Sequence, residues 1–183
     1  MSTKKAQLDR LNQQIRRSKE LRLYKSCTNL VPGEGSYRAR VMFIGESPGK
    51  QEDLTGRPFV GRSGQLLTQL LEQIGLKRED VFITSVVKCR PPGNRNPSQK
   101  EIDISLPWLY KQIDLIRPKI IVLLGGIALK ALLGFNTIGK YSGKIIVRDG
   151  YKFFLTYHPA AGLRFPKIKR LLQEDFKKLK KYL

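Results

Sequence analysis

The side chains able to do chemistry in this chain are few, and most fall in three short segments. The first runs Gly45-Glu46-Ser47-Pro48-Gly49-Lys50-Gln51-Glu52-Asp53 and continues through Gly56-Arg57-Pro58-Phe59-Val60-Gly61. The second is Lys88-Cys89-Arg90-Pro91-Pro92-Gly93-Asn94-Arg95, and the third begins His158-Pro159-Ala160-Ala161-Gly162-Leu163-Arg164. Together they hold two well-separated glutamates, an aromatic ring, several arginines and the only histidine of the 183 residues. Paired carboxylates and an imidazole suit acid–base or electrostatic catalysis. Each also has a plainer reading. Acidic residues in basic proteins are usually surface ion pairs worth under ~1 kcal/mol. His158 suits a turn residue bonded to backbone, and Phe59 suits either the core or a face on which a planar base stacks. A phosphate-cradling loop fails on spacing, because Gly45-Glu46-Ser47-Pro48-Gly49-Lys50 is one residue short and Gln51 stands where Ser or Thr would bind magnesium. The glycines and prolines instead predict a rigid, non-helical loop that points Glu46 and Glu52 into a pocket. With Cys27 and Cys89 the only cysteines, neither a Cys/His zinc site nor a four-thiolate cluster can be assembled, so no metal is expected.

A scaffold must bring these segments together. Runs of branched and aromatic residues at 41–44, 81–87, 120–124 and 153–157 read as buried strands. Helical patterns at 4–24, 64–74, 98–116, 126–133 and 167–183 separate them, and 145–147 adds a short edge hairpin with 151–155. Such alternation predicts the α/β class, a parallel sheet covered on both faces. Ligands of these sheets bind where loops leave the carboxyl ends of the strands, which is where the three segments lie. With 40% hydrophobic residues, the chain has material for one core, and a single domain over 1–183 is expected. No apolar run approaches the roughly 20 residues of a membrane span, and MSTKKAQLDR is not a secretory signal. The expectation is a soluble, cytoplasmic monomer.

Charge narrows the partners. There are 35 Lys and Arg against 15 Asp and Glu, a net charge of +20, and both ends are strongly basic. A nucleic acid partner follows, since each phosphate neutralised releases condensed counterions.

Taken in order, several segments resemble family 4 of the uracil-DNA glycosylases nearly word for word. They are Val31-Pro32-Gly33-Glu34-Gly35, Gly45-Glu46-Ser47-Pro48-Gly49, Glu52-Asp53, Gly56-Arg57-Pro58-Phe59-Val60-Gly61, Val86-Val87-Lys88-Cys89-Arg90-Pro91-Pro92-Gly93-Asn94-Arg95 and Tyr157-His158-Pro159-Ala160-Ala161. The resemblance implies a three-layer α/β/α sandwich around a four-stranded parallel sheet. It implies hydrolysis of the bond between sugar and uracil, or another deaminated base, in DNA. By the same resemblance Glu46, Glu52 and His158 are catalytic: His158 donates to the base O2, Glu46 positions water or stabilises the sugar cation, and Glu52 shapes the pocket wall. Phe59 stacks on the flipped base, with Ser47 and Ser85 also contacting it. Arg62, Lys88, Arg90, Arg95 and Arg164 are expected to hold DNA, with Leu163 or Arg164 filling the vacated stack.

Two departures qualify this. Proteins that this chain resembles carry four cysteines around an iron–sulfur cluster; the matching positions here are Ser18, Leu21, Cys89 and Ser105, and Cys27 lies off the pattern. The expectation is a chain without the cluster, plugged by Leu21 and apolar neighbours. The family's base-reading Asn is replaced by Ser85, which lacks an amide's paired donor and acceptor. Losing such a contact costs about 1–3 kcal/mol of discrimination. An alternative is a non-catalytic DNA-binding module on the same scaffold, against which the joint presence of Glu46, Glu52, Phe59 and His158 argues.

Overall fold

The elements follow one another as the hydrophobic pattern dictates. In chain order they are α1 (Lys4–Arg17), β1 (Glu34–Gly35), β2 (Val41–Gly45), α2 (Lys50–Thr55), α3 (Arg62–Gln73), β3 (Phe82–Ser85), α4 (Gln99–Ile116), β4 (Ile120–Leu124), α5 (Gly126–Leu133), β5 (Lys144–Arg148), β6 (Tyr151–Thr156), α6 (Pro159–Arg164) and α7 (Pro166–Lys180). The structure, a computed structural model, describes residues 3–183. Every residue of β2, β3 and β4 is buried, as expected of strands covered on both faces.

The sheet has six strands in the order β1-β3-β2-β4-β6-β5, not the four expected. The inner four, β3, β2, β4 and β6, are parallel, with Gly45 level with Ser85 and Leu124 level with Thr156. The outer two are antiparallel edges: β5 forms the hairpin with β6, and β1 pairs with β3 through only two residues. So short an edge carries no alternation to read. Side-chain alternation splits the core. Met42, Ile44, Ile121, Leu123 and Leu155 pack with α4 and α5 on one face, while Phe43, Ile83, Val122, Leu124 and Phe154 pack with α3 and α7 on the other. This is the expected three-layer α/β/α sandwich. Among the described residues, no helix is long and apolar enough to cross a membrane.

Two local expectations change. The first helix ends at Arg17 rather than 24, because Ser18 turns extended and its Oγ accepts the Leu21 N–H at 3.3 Å. Leu21, six residues past Ile15 and so off the i+3/i+4 spacing of Leu8, Leu11 and Ile15, is buried from a turn. The loop after β2 is not wholly non-helical either: Gly49 opens α2, whose Glu52 side chain reaches back to the Gly49 N–H.

A third apolar cluster lies beside α1, built from Leu11, Ile15, Leu21, Leu30, Cys27 and Cys89. Cys27, off the ligand pattern in sequence, meets Cys89 in the fold; the two form a disulfide, with Cα atoms 5.8 Å apart and a sequence separation of 62. The bond joins the segment before β1 to the loop after β3. Closing a loop of that length is worth about 4 kcal/mol, or roughly 8–16 °C of melting temperature for a chain of this size. Thermal melts with and without a thiol reductant are expected to differ by that amount, and a Cys27→Ala/Cys89→Ala double variant should melt at the reduced protein's temperature and ignore the reductant.

Candidate active site

The carboxyl ends of β2, β3 and β6 lie on the same edge of the sheet, because these strands run parallel, with β4 between β2 and β6, and their loops meet over that edge. There they enclose a cavity of about 480 Å³. Glu46, Ser47, Glu52 and Phe59 line it from the loop after β2, Ser85 from the end of β3, and His158 and Arg164 from the segment after β6. Seven residues singled out from the sequence are thus brought together.

Phe59 is held there against its own backbone preference. Its φ of 50° is left-handed, a conformation costly for a bulky side chain. Its ring occupies the space above Gly45, where a Cβ would stand 2.5 Å from Cζ, and its carbonyl presses on Gly64, where a Cβ would stand 1.8 Å away. Any side chain at either position would expel the ring or the loop. Arg78 completes the clamp, donating to the carbonyls of Phe59 at 3.0 Å and Pro58 at 2.9 Å while pairing with Glu34. Nothing in the sequence marked Arg78, since its partners lie far away along the chain.

The two glutamates have different surroundings. Glu52 is buried, and Oε1 accepts the N–H groups of Val60 and Gly61, both at 2.8 Å, while Oε2 accepts that of Gly49 at 3.1 Å. Its charge is spent on tying α2 to the Phe59 loop. The adjacent Asp53 does similar work, accepting from Thr28 N at 2.9 Å and Asn29 N at 3.2 Å. Glu46 is half-buried; its backbone carbonyl accepts the Val87 N–H at 3.0 Å, but its carboxyl makes no hydrogen bond among the described residues and is pushed up by burial.

His158 caps α6: its Nδ1 accepts the Ala160 N–H at 3.1 Å. Nδ1 therefore lacks a proton, and in the neutral ring Nε2 carries it. Nε2 lies 3.6 Å from where a Cβ on Gly45 would be, on the side of the Phe59 ring, whose centroid is 5.5 Å from that of the imidazole. Burial pushes the ring down to about 4, partly opposed by the charge of Glu52. It is a neutral donor at neutral pH.

Other expected contacts fall elsewhere. Lys88 has no exposed surface and is not a surface cation; its ammonium is bonded within the core. Arg95 is outside the cavity, paired with Glu101 at 2.7 Å and stacked over Tyr24. Arg90 donates to Asn94 at 2.7 Å, Arg62 is exposed at the start of α3, and Leu163 is exposed on α6 beside the cavity. The cavity adds residues not singled out beforehand: Ser63, Asn94, Asn96 and Phe165. Asn94 stood inside a motif read for its arginines, whereas Phe165, 52% exposed, had no periodic signal at all.

The donor set does not fit an iron–sulfur cluster. Ser18, Leu21 and Ser105 offer no thiolate, Cys89 is bonded to Cys27, and the buried Ser105 Oγ has no hydrogen-bond partner among the described residues. Among the described residues, no group of three or more His, Cys, Asp or Glu could hold a metal ion.

Fold and cavity together define a basic α/β protein with a cavity at the carboxyl edge of its sheet, lined by carboxylates, an imidazole and an aromatic ring. Residues 32–182 match the profile of the uracil DNA glycosylase superfamily, and the chain belongs to that superfamily. It is 48% identical to a type-4 uracil-DNA glycosylase of Saccharolobus solfataricus, over 96% of this chain and 86% of the relative. It is 42% identical to the type-4 enzyme of Archaeoglobus fulgidus over 94% and 91% of the two chains, and 40% identical to that of Thermotoga maritima over 100% and 98%.

Because His158 is the only imidazole, its titration is readable directly by NMR. The expected midpoint is about 4 with the proton on Nε2; a midpoint at the ordinary 6.5 would refute the half-buried, capping geometry. Between about 6.5 and 4 the unfolded chain takes up this proton before the folded one does, so His158 makes the fold lose stability as pH falls through that window.

Proposed function

We propose that this chain is a monofunctional DNA glycosylase that hydrolyses the bond joining uracil to deoxyribose in DNA and leaves an abasic site. The observation that carries the reading is the meeting of Glu46, Phe59 and a neutral His158 in one cavity. Swinging the nucleotide out of the helix costs a few kcal/mol, which contacts to the base and phosphates must offset. Phe59 offers the base a stacking face, and the exposed Phe165 of the cavity lining and the exposed Leu163, next to the lining residue Arg164, are the apolar groups available to fill the gap left behind. As the C1′–N bond breaks, its electron pair goes to the base, and the Nε2–H of His158 meets the charge growing on O2. A donor already fixed in place contributes more than one that must reorient. Water adds to C1′ and gives its proton to Glu46, the carboxylate free to accept it. Glu52, with three amides bound, holds the pocket wall instead.

DNA containing uracil is the partner, bound by a monomer carrying its excess of positive charge. The amide missing at Ser85 is not missing from the cavity, since Asn94 and Asn96 stand in its wall. The reaction proceeds without a cluster, because a disulfide and Leu21 occupy the region where one would be held.

Four measurements test this. In a uracil-oligonucleotide assay followed by alkali, His158→Ala should lower the single-turnover rate by about 10²–10³-fold and Glu46→Gln by at least about 10²-fold. The wild-type rate should fall on the acid side with a midpoint above 4.5, because burial raises the Glu46 carboxyl, and that limb should vanish in Glu46→Gln. Ser85→Asn should raise uracil excision roughly tenfold by adding a paired base contact of about 1–3 kcal/mol. Purified protein should be colourless; stoichiometric iron with visible charge-transfer absorption would refute the cluster-free reading.

A further inference from the structure

Lys88 lies wholly inside the protein, 0% exposed. A buried ammonium is costly unless a carboxylate pairs with it, and among the described residues no carboxylate does. Its Nζ donates to Thr84 Oγ1 at 2.7 Å, to the Ser85 carbonyl at 2.7 Å and to Gln112 Oε1 at 2.9 Å. Thr84 and Gln112 both donate in turn to the Pro32 carbonyl, at 2.7 and 2.8 Å, and Gln112 donates also to Asn12 at 3.1 Å. The network thus joins β3, α4, α1 and the segment before β1. None of the groups meeting the ammonium from these elements titrates, and the neighbouring Cys89 is held in the disulfide. With no charge opposing it, burial pushes the ammonium down to about 7. Apolar side chains fill such sites at less cost, so packing alone does not explain a lysine. What distinguishes the place is its acceptor: the Ser85 carbonyl belongs to a residue of the cavity wall, level with Gly45 beneath the Phe59 ring.

We propose that Lys88 is a positioning residue of the base pocket: its ammonium pins Ser85, and with it that wall, and holds a positive charge one hydrogen bond behind the surface against which the departing base turns negative. The inference rests on the glycosylase reading of the cavity. A charge fixed in a dry interior acts on developing charge without reorganising.

The test is single-turnover uracil excision by the full chain, wild type and Lys88→Met, across pH. The expected result is a rate at least about tenfold lower for Lys88→Met with KM for the oligonucleotide changed less than about twofold. A KM increase at unchanged rate, as for a phosphate contact, overturns the proposal, and so does no change in either. The wild-type rate should also fall on the alkaline side with a midpoint near 7, as the ammonium loses its proton, and this limb should be absent from Lys88→Met. A wild-type rate that stays flat between about pH 6 and 9 overturns the proposal even if the variant does not fold. Failure of the underlying reading looks different: wild-type protein would then release no uracil at any pH.

Discussion

Three backbone amides converge on one buried carboxylate, that of Glu52, and the geometry of the cavity depends on that grip. An ionised carboxylate out of water must find donors, and hydrogen bonds to a charged group are the strong ones. Here the donors come from both ends of the loop after β2, Gly49 before α2 and Val60 and Gly61 after it, so satisfying the charge also folds the loop. Phe59 lies immediately before this anchor, and its left-handed backbone is sustained by Arg78 on its carbonyl and by the absence of side chains at Gly45 and Gly64. The ring is therefore placed by contacts from four separate parts of the chain.

Electrostatics within the cavity run against the protein's overall character. A molecule with a net charge of +20 keeps a neutral imidazole and a half-buried carboxylate at its centre. The capping bond to Ala160 fixes which nitrogen of His158 can donate, and burial keeps the ring from taking a second proton. The result is a donor that does not change its charge near neutral pH. Unlike the exposed lysines and arginines that carry the excess charge, Lys88 is buried behind the pocket wall.

Beside α1, the region resembling a cluster-binding corner is built differently. Leu11, Ile15, Leu21 and Leu30 surround the Cys27–Cys89 bond, which ties the segment before β1 to the loop that carries Asn94 and Asn96 to the cavity. A covalent link and apolar packing thereby anchor that loop, and the orphaned Ser105 hydroxyl marks where a partner is lacking.

Layer order, the parallel inner strands and the convergence of Glu46, Phe59, Ser85 and His158 were all legible in the sequence. Buried strands and amphipathic helices are written in local periodicity, and strand ends in such folds meet at one edge. Edge strand β1, at two residues, is too short to leave a pattern. Which glutamate is free and which is bound was not legible, because Glu52 and Glu46 have the same chemistry and differ only in the amides that the folded loops bring to one of them. For the same reason Lys88, read as one more surface cation, proved to be inside, and Cys27, off any ligand spacing, met Cys89. Partners separated by 24 to 62 residues are chosen by how the layers pack, and nothing in the local sequence encodes that choice.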